Sequence, residues 1–314
     1  MKSTLMKLWL GATIIAGMSA IATTPAVAGS LTGATVTGTD YYKVSSDGTN
    51  TFIDPSASLS TLLQGNASNP GGNVELFASS ETLSNDDFEN YTDVTSLTGQ
   101  IGGEAITLSS LTLADWLTDV GGGLTLADKW FSDALTANGL GALIGTFPGD
   151  FVYGQFLNNG GLQRFSDPNI SYVNQDDTTG LITIGLAGHF NARDMLAEVI
   201  GQVNPFFAAF LPESIQASEI VKVDYDGKTE YLYGFEATNS GLVSSDDNNV
   251  HTHSHSGNYQ VALLGTPPGP FGSEPQGVPE SSTVLGLIAL GGLFTAGGLV
   301  DSRQKYHKAC QNLK

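Results

Sequence analysis

The stretch that decides the fold lies in the last third of the chain and reads Ile220-Val221-Lys222-Val223-Asp224-Tyr225-Asp226-Gly227-Lys228-Thr229-Glu230-Tyr231-Leu232-Tyr233-Gly234-Phe235. Apolar or aromatic residues alternate with polar residues on both sides of Asp226-Gly227, and a period of two residues is typical of a β-strand. The Asp-Gly pair readily takes the positive φ angles that a two-residue turn needs. The pattern therefore predicts a β-hairpin across residues 220–235.

Similar patterns recur elsewhere in the chain. Alternating Val, Thr and Tyr residues surround Asp47-Gly48, and a second alternation surrounds Gly102-Gly103, so each pair is predicted to form the turn of a hairpin. Short runs of β-branched and aromatic residues predict further strands. The predicted hairpins and strands occupy residues 31–52, 95–108, 170–173, 181–186 and 259–264.

The hydrophobic period changes to three and four residues in the middle of the chain. Apolar residues recur at helical spacing over 126–135, where Thr125 is placed as an N-cap and Asn138-Gly139 as a stop. A second helix is predicted over 191–202, before Asn204-Pro205. The sequence thus predicts an α+β fold, in which one strand-rich domain carries a central helical insertion.

Residues 1–28 have the composition of a signal peptide for export. Two lysines precede an apolar run, and the small residues Ala26 and Ala28 occupy the positions that a signal peptidase requires before its cut. The alternative is a retained membrane helix, but the run is shorter than the roughly 20 apolar residues that span a bilayer. Cleavage by signal peptidase would leave Gly29 as the first residue of the exported chain.

An uncharged apolar run from Val284 to Val300 is just long enough for a membrane-spanning helix, whose lower limit is about 17 residues. Its glycines would weaken a helix in water by roughly 1 kcal/mol each relative to alanine, but they are better tolerated in lipid. Arg303 and Lys305 follow the run, and positively charged flanks stay on the cytoplasmic side. The sequence therefore predicts a C-terminal transmembrane helix, with the preceding region outside the cytoplasm.

The motif before this helix resembles that of a known family. Residues 278–283 read Val-Pro-Glu-Ser-Ser-Thr, and this motif, the apolar helix and the basic tail 301–314 follow one another as in the PEP-CTERM sorting signal. The resemblance implies transient anchoring in the inner membrane and cleavage by an exosortase-like membrane protease near Val278, Pro279 and Glu280. Release to the outer surface or to an extracellular matrix would follow, and a permanent single-pass anchor is the alternative.

The middle of the chain also resembles a group of PEP-CTERM proteins whose ectodomain has no assigned activity. The resemblance is carried by residues 161–169 and 172–180. The signal sequence and the sorting motif imply signal peptidase and an exosortase-like protease as processing partners of a bacterial protein, with exopolysaccharide as a further candidate partner. The resemblance assigns no functional residue to this ectodomain.

The region between the two ends is strongly acidic. Of 12 Lys and Arg residues six lie before residue 29 or after residue 279, but of 31 acidic residues only Glu280 and Asp301 do. This leaves 6 basic and 29 acidic residues, a net charge of −23. Such a surface repels phosphate groups, so nucleic acid is not expected as a partner.

Residues 29–266 are predicted to form the single acidic extracytoplasmic domain, and residues 267–277 a linker rich in Pro and Gly. The only cysteine, Cys310, lies in the basic tail. No disulfide bond is therefore expected within the domain, and its stability must come from a buried core.

Metal binding is one interpretation of two polar patterns. His251, His253 and His255 would point to one side of an extended segment, as ligands for zinc or copper would, but residues 244–249 before them have the composition of a polar loop. Two groups offer oxygen ligands for calcium, although their spacing fits no EF-hand and the same residues initiate turns. These groups are Asp224, Asp226 and Glu230, and Asn174, Asp176 and Asp177. No cofactor is predicted.

The sequence predicts no enzyme, because it contains no nucleophile elbow, zinc-protease helix or phosphate-binding loop. His189 has polar neighbours near a predicted strand end, so it is a candidate general base or a hydrogen-bonded structural residue. A pair of carboxylates distant in sequence would allow glycoside hydrolysis. The many Tyr, Ser, Thr and Asn residues suit a sugar-binding surface, and they equally suit ordinary β-structure.

The function predicted from these observations is that of an exported cell-surface or extracellular-matrix protein. Its ectodomain is expected to be a binding or structural module for envelope polysaccharide. The alternatives are a secreted hydrolase and a calcium-dependent adhesin.

Overall fold

The computed structural model describes residues 28–197, 211–244 and 254–268. In these residues the fold is mostly β, with a smaller number of helices. The larger sheet of this part of the chain has nine strands, all antiparallel to their neighbours except β4 and β15. In spatial order it contains β14 (Ala237–Asn239), β16 (Gly257–Leu264), β11 (Leu181–Gly188), β10 (Asn169–Asp176), β7 (Gly72–Leu76), β3 (Tyr41–Ser46), β4 (Asn50–Ile53) and β15 (Val243–Ser244), with β1 (Ala28–Ser30) also paired to β10.

The smaller sheet of the described chain has five antiparallel strands. They lie in the order β13 (Lys228–Leu232), β12 (Val221–Tyr225), β9 (Glu104–Ser109), β8 (Ser96–Ile101) and β2 (Thr32–Thr37). A short separate hairpin pairs β5 (Gly65–Asn66) with β6 (Asn69–Pro70).

The two sheets enclose an aliphatic cluster that we call the sandwich core. Strand side chains alternate between the two faces of a sheet, so alternate residues of the central strands point into this core. The smaller sheet contributes Leu97, Ile101, Ile106, Leu108, Val221, Val223 and Tyr225, and the larger sheet contributes Val74, Leu76, Ile170, Val173, Ile182, Ile184, Leu186, Tyr259, Val261 and Leu263.

One extended segment joins the two sheets at a corner. β1 pairs with β10 of the larger sheet, and β2, which starts two residues later, pairs with β8 of the smaller sheet. Between them, the Leu31 backbone N–H donates to the Val173 carbonyl at 3.1 Å, and the Leu31 side chain packs against the sandwich core. The N-terminal strand is therefore part of the sandwich.

The helices are short and gather mostly between β9 and β10. The described α-helices with complete bounds are α1 (Leu59–Leu62), α2 (Asn85–Glu89), α3 (Leu113–Trp116), α4 (Leu126–Ala137), α5 (Phe147–Asn158) and α6 (Gly161–Arg164), and residues 193–197 are also helical. Single 3₁₀ turns occur at Ser80–Thr82 and Gly141–Leu143. Both α3 and α4 begin with a capping box, in which a threonine hydroxyl and an aspartate three residues later satisfy the first backbone N–H groups.

These helices cover a second cluster, which we call the aromatic cap. Its buried members are Phe77, Phe88, Leu111, Trp116, Leu126, Ala127, Trp130, Leu162 and Ile220. The Trp130 ring lies at its centre, with centroid distances of 4.3 Å to Phe165, 5.5 Å to Phe156 and 6.1 Å to Trp116. Several chain segments thus pack on one indole ring.

The structure confirms the local sequence predictions for the hairpin of residues 220–235 and for the first helix. β12 and β13 are joined by Asp226 and Gly227, whose φ angles are 49° and 70°. The second strand ends at Leu232 rather than Phe235, because the Gly234 N–H donates to the Ser218 hydroxyl at 2.9 Å. Thr125 caps α4, as its position before the apolar run predicted.

Other helices and strands differ in length from the predictions or were not predicted. β10 and β11 are longer than predicted, and of the helix predicted over 191–202 only residues 193–197 are described as helical. β7 and α5 were not predicted, since Asn73 and Glu75 interrupt the apolar pattern of β7 and α5 contains Pro and Gly. Among the described residues, none of the helices is long and apolar enough to cross a bilayer, and the run 284–300 lies outside those residues.

Candidate functional site

The outer side of the smaller sheet carries two rows of polar residues, which we call the hydroxyl face. Strand register places the members of each row side by side across all five strands. The first row is Thr35, Thr98, Thr107, Asp224 and Thr229, and the second, two residues along each strand, is Thr37, Ser96, Ser109, Lys222 and Tyr231.

The spacing of the hydroxyl face follows from strand geometry. Neighbouring strands lie about 4.8 Å apart, and alternate residues of one strand lie roughly 6.7 Å apart. The Thr35 and Thr98 hydroxyl oxygens are 2.8 Å apart, and those of Ser96 and Ser109 are also 2.8 Å apart, so hydroxyls hydrogen-bond across the strands. The Thr229 hydroxyl donates to the Asp224 carboxylate. The face is therefore a regular array of donors and acceptors.

An ion pair holds one end of this face against helix α3. The Lys222 Nζ donates to Asp115 Oδ1 at 2.8 Å, and the Tyr231 hydroxyl donates to the same oxygen at 2.9 Å. Burial alone would raise the pKa of Asp115, but hydrogen bonds from Lys222, Thr112 and Tyr231 outweigh it and lower that pKa. The same carboxylate raises the pKa of Lys222 against the effect of burial. Asp115 is therefore held as an anion.

Such a face can form many hydrogen bonds with a flat partner. Each hydroxyl both donates and accepts, so it can replace the water that hydrates a hydroxyl-bearing polymer. Thr35, Thr37 and Thr229 are exposed, whereas Thr98 and Thr107 in the middle strands are half-buried. The chemistry that this array of hydroxyl groups supports is recognition by hydrogen bonding.

A second polar site lies where the sandwich core meets the aromatic cap. It contains Asp167 and Glu219, which we call the acid pair. Asp167 lies between Phe165 of the cap and Ile170 of the core, and Glu219 is followed by Ile220 of the cap and Val221 of the core. Asp167 is 4% exposed, and its Oδ2 accepts from the Ser80 hydroxyl at 2.6 Å. Glu219 Oε2 accepts from the Asn169 backbone N–H at 2.9 Å.

The acid pair lacks full compensation for its charge. Asp167 Oδ1 and Asn169 Oδ1 are buried without a hydrogen-bond partner in the part of the chain described. Burial, and then repulsion from Glu219, raise the pKa of Asp167 well above its ordinary value. Burial also raises the pKa of Glu219, with repulsion from Glu75 adding to it against the hydrogen bonds from Asn169. The pair therefore retains a proton more readily than an exposed carboxylate does.

One depression on the described surface does not include the acid pair. That depression lies beside the hairpin turn and is lined by Val223, Tyr225, Asp226, Lys228, Glu230, Leu263 and Leu264. General acid catalysis needs contact with substrate as well as a raised pKa. The raised pKa values of the pair by themselves support proton retention.

His255 is buried in the protein, whereas His251 and His253 lie outside the described residues. Its Nδ1 is 2.7 Å from the Thr51 hydroxyl oxygen, within hydrogen-bond distance. Burial, with a smaller contribution from His189, lowers the pKa of His255 to about 4. His255 is thus a neutral interior side chain at pH 7.

The candidate calcium ligands lie in the strands and turns of two hairpins, where several of them accept hydrogen bonds from neighbouring residues. Asp176 Oδ1 accepts from the Thr178 and Thr179 backbone N–H groups at 2.8 and 2.9 Å, and Asp224 accepts from Thr229. Asp226 is the first residue of the hairpin turn. Within the described ranges, no group of three or more His, Cys, Asp or Glu side chains is arranged to hold a metal ion.

Most tyrosines that suggested a sugar-binding surface are not exposed. Tyr172 is buried and donates to Gln260 Oε1 at 3.0 Å, and Tyr259 is buried and donates to the His189 carbonyl at 2.6 Å. Tyr42 is the exception, with 46% of its surface exposed. His189 itself is half-buried.

The predicted processing residues lie at the two ends of the described chain or outside it. Ala28 and Gly29 belong to β1, where they pair with Asp176 and Gln175. The residues that carry the sorting motif and the membrane anchor lie outside the described residues; these are Val278, Pro279, Glu280, Val284, Val300, Arg303 and Lys305.

Sequence reasoning missed Asp115, the acid pair and the hydroxyl face. A Thr-x-x-Asp spacing at Thr112 would have identified Asp115 as part of a helix cap. Glu219 directly before the apolar alternation of β12 was a weak sign of an acid entering the core. The threonine rows needed the register of five strands, which no local pattern contains. No family model, curated protein or solved structure matches this chain.

Proposed function

We propose that this chain is an exported bacterial cell-surface or extracellular-matrix protein, sorted by an exosortase-like membrane protease. Residues 29–266 form one ectodomain with a central helical insertion, residues 267–277 a linker, and residues 284–300 a transmembrane helix that anchors it transiently. The ectodomain is a binding or structural module for envelope polysaccharide rather than an enzyme.

The observation that carries the binding role is the hydroxyl face. Its first row presents hydroxyl groups at regular spacing on one side of a sheet whose other side is buried in the sandwich core, whereas Ser109 of the second row is buried. Polysaccharide chains present hydroxyls of the same chemistry, and both partners can exchange bound water for direct or water-bridged hydrogen bonds. The net charge of the whole chain, −19, opposes anionic polymers, so neutral polysaccharide is favoured.

The test is a sedimentation assay of the exported protein with insoluble cellulose as a neutral polymer and with alginate gel as an anionic one. Replacing Thr98 and Thr107 with valine removes two hydroxyls from the first row without changing side-chain shape. We expect this double variant to lose about tenfold in affinity for the neutral polymer, because each lost hydrogen bond contributes roughly 0.5–1.5 kcal/mol.

The matched control replaces Thr238, an exposed threonine of β14 in the other sheet, with valine. This variant should bind like the unmodified protein. Equal binding by the double variant and the unmodified protein would mean that the hydroxyl face is not the binding surface.

Sorting is tested by the intact mass of the protein in membrane, outer-surface and medium fractions. A species that begins at Gly29 and ends near Pro279 in the outer fractions is expected. A membrane species that retains Lys314 would instead mean a permanent anchor and would exclude processing by an exosortase-like protease.

The acid pair favours one second candidate function, that of a secreted hydrolase. Glycoside hydrolases use two carboxyl groups, one of which has a raised pKa and donates a proton. Release of reducing sugar from the tested polymers, abolished in the Asp167→Asn variant, would support that activity over simple binding.

A further inference from the structure

The first strand of the domain pairs with a strand that follows much later in the chain. Ala28, Gly29 and Ser30 lie opposite Asp176, Gln175 and Asn174 at the end of β10. The Gly29 nitrogen donates to Asp177 Oδ1 at 3.3 Å in a partly buried position. A backbone nitrogen of β1 thus lies beside the carboxylate in the turn between β10 and β11.

Glycine at position 29 allows this approach. A Cβ atom built on Gly29 would lie 3.1 Å from Asp177 Oδ1, which is closer than most real Cβ contacts. Without a side chain, the nitrogen is left as the group that faces the carboxylate. The contact is therefore a property of the backbone at this position.

We infer that removal of the signal peptide creates an ion pair between the α-ammonium group of Gly29 and the carboxylate of Asp177, which fastens β1 to the mature sandwich. The inference rests on the proposed export, since the α-ammonium exists only after cleavage between Ala28 and Gly29. In the precursor this nitrogen is an uncharged amide; in the mature protein it carries a positive charge. Processing then converts a hydrogen bond from a neutral amide into a hydrogen bond between two oppositely charged groups.

The charged groups around this nitrogen favour its protonated form. Asp176 and Asp177 lie in the turn, and Glu104 lies in the β8–β9 hairpin, whose Gly102 packs against Gln175. The pKa of Asp176 is lowered by hydrogen bonds from Thr179 and Thr178, so it is anionic at neutral pH. An α-amine has an ordinary pKa of about 8, and neighbouring carboxylates raise it. The contribution to stability is thus complete below about pH 8 and is lost as pH rises through the raised value.

Strand pairing also sets the order of two events, the cleavage of the signal peptide and the pairing of β1 with β10. Asp177 is 148 residues beyond Gly29, so the Ala28–Gly29 bond stays unpaired until that part of the chain has been exported. A protease needs an extended, unpaired substrate strand, and pairing with β10 removes this bond from reach. Cleavage therefore precedes the closure of β1 onto β10.

The test measures the pKa of the Gly29 α-amine in the exported protein, from the pH dependence of its acetylation followed by peptide mass spectrometry. The Asp177→Asn variant removes the partner charge, and the Asp177→Glu variant retains it. Asp93→Asn is the matched control, because this exposed acid lies beyond the opposite end of β2, roughly 20 Å away for a six-residue strand.

We expect the α-amine pKa to fall by about half a unit in Asp177→Asn and to be unchanged in Asp93→Asn, as for a partly exposed ion pair. The difference should vanish in urea. An exported chain that begins elsewhere than Gly29 would overturn both the proposed cleavage and the pair. A chain that begins at Gly29, with the same amine pKa in the unmodified protein and Asp177→Asn, would overturn the pair alone.

Discussion

The sandwich core and the aromatic cap are assembled in different ways. The core is aliphatic, and nearly all of its residues come from alternate positions of regular strands. The cap is built on Trp116 and Trp130 and collects residues from loops, short helices and strand ends. Polar groups accompany its aromatic rings, as in the bond from Trp116 Nε1 to the Ser166 hydroxyl at 2.7 Å.

This difference indicates where substitutions should destabilise the fold most. A sheet tolerates change in many places, because its hydrogen bonds come from the backbone and its packing repeats along the strands. A cluster centred on two indole rings depends on each ring and on polar partners that only one arrangement supplies. The acid pair lies between the two clusters, so the protonation of Asp167 and Glu219 depends on how the aromatic cap packs against the sandwich core.

The largest expected effect is in the cap. Trp116→Ala removes a fully buried ring and leaves the Ser166 hydroxyl without its indole donor, so the free energy of unfolding should fall by about 3–5 kcal/mol. Chemical denaturation followed by tryptophan fluorescence and by far-ultraviolet circular dichroism would measure it.

Leu108→Ala in the sandwich core is the comparison variant, with an expected loss of about 2–5 kcal/mol. Both variants should unfold in one transition, with both probes coincident. A separate early transition in Trp116→Ala, with the sheet signal intact, would mean that the cap and the sandwich unfold independently.

The next largest loss in the free energy of unfolding is expected in the larger sheet. A Cβ atom at Gly185 would lie 2.2 Å from Tyr172 Cε1 and 2.4 Å from Ser171 Oγ, so Gly185→Ala forces both strands to shift. We expect a loss of about 1–3 kcal/mol in the free energy of unfolding, by overpacking. In Gly234→Ala the nearest side-chain atom would be 3.6 Å away, so that variant should change stability little. Equal stability of the two variants would show that the sheet adapts more readily than this comparison assumes.

The acid pair predicts an unusual pH dependence. Because the folded state raises the pKa values of Asp167 and Glu219, their contribution is complete below the unfolded value of about 4 and is lost as pH rises through the folded values. The Tm of the unmodified protein should therefore fall by several degrees between pH 5 and pH 8 relative to the double variant Asp167→Asn/Glu219→Gln. If Tm changed with pH in the same way in both proteins, the acid pair would not be the source of the pH dependence.

The smallest expected effect comes from Asp115, whose contribution to stability depends on pH in the opposite direction to that of the acid pair. Its lowered pKa stabilises the fold above the unfolded value of about 4, and this contribution is lost as pH falls through the folded value. Lys222→Met keeps the apolar stem but removes the ion pair, so about 1 kcal/mol should be lost at pH 7 and less at pH 3. The exposed Lys228→Met variant is the control and should show neither change. A pH-independent loss in Lys222→Met would assign the effect to packing alone.

Much of the sheet structure was readable from local sequence. The period of two residues around Asp226-Gly227 and around Gly102-Gly103 predicted hairpins that the structure contains, with positive φ at both residues of each turn. Thr125 before an apolar period of three and four residues predicted the start of α4. These features depend on backbone preferences and on side-chain alternation within a few residues, so local sequence carries them.

The sequence by itself thus determined the strand-rich α+β character of the chain, the turns of two hairpins and the start of α4. Only the tertiary structure decided that Asp167 and Glu219 lie close enough to repel each other, that His255 lies inside the protein, and that threonines from four strands form one row. The physical reason is that ionisation, burial and register depend on groups brought together from distant parts of the chain. A residue's own neighbours in sequence do not specify which charges, rings or strands will surround it after folding.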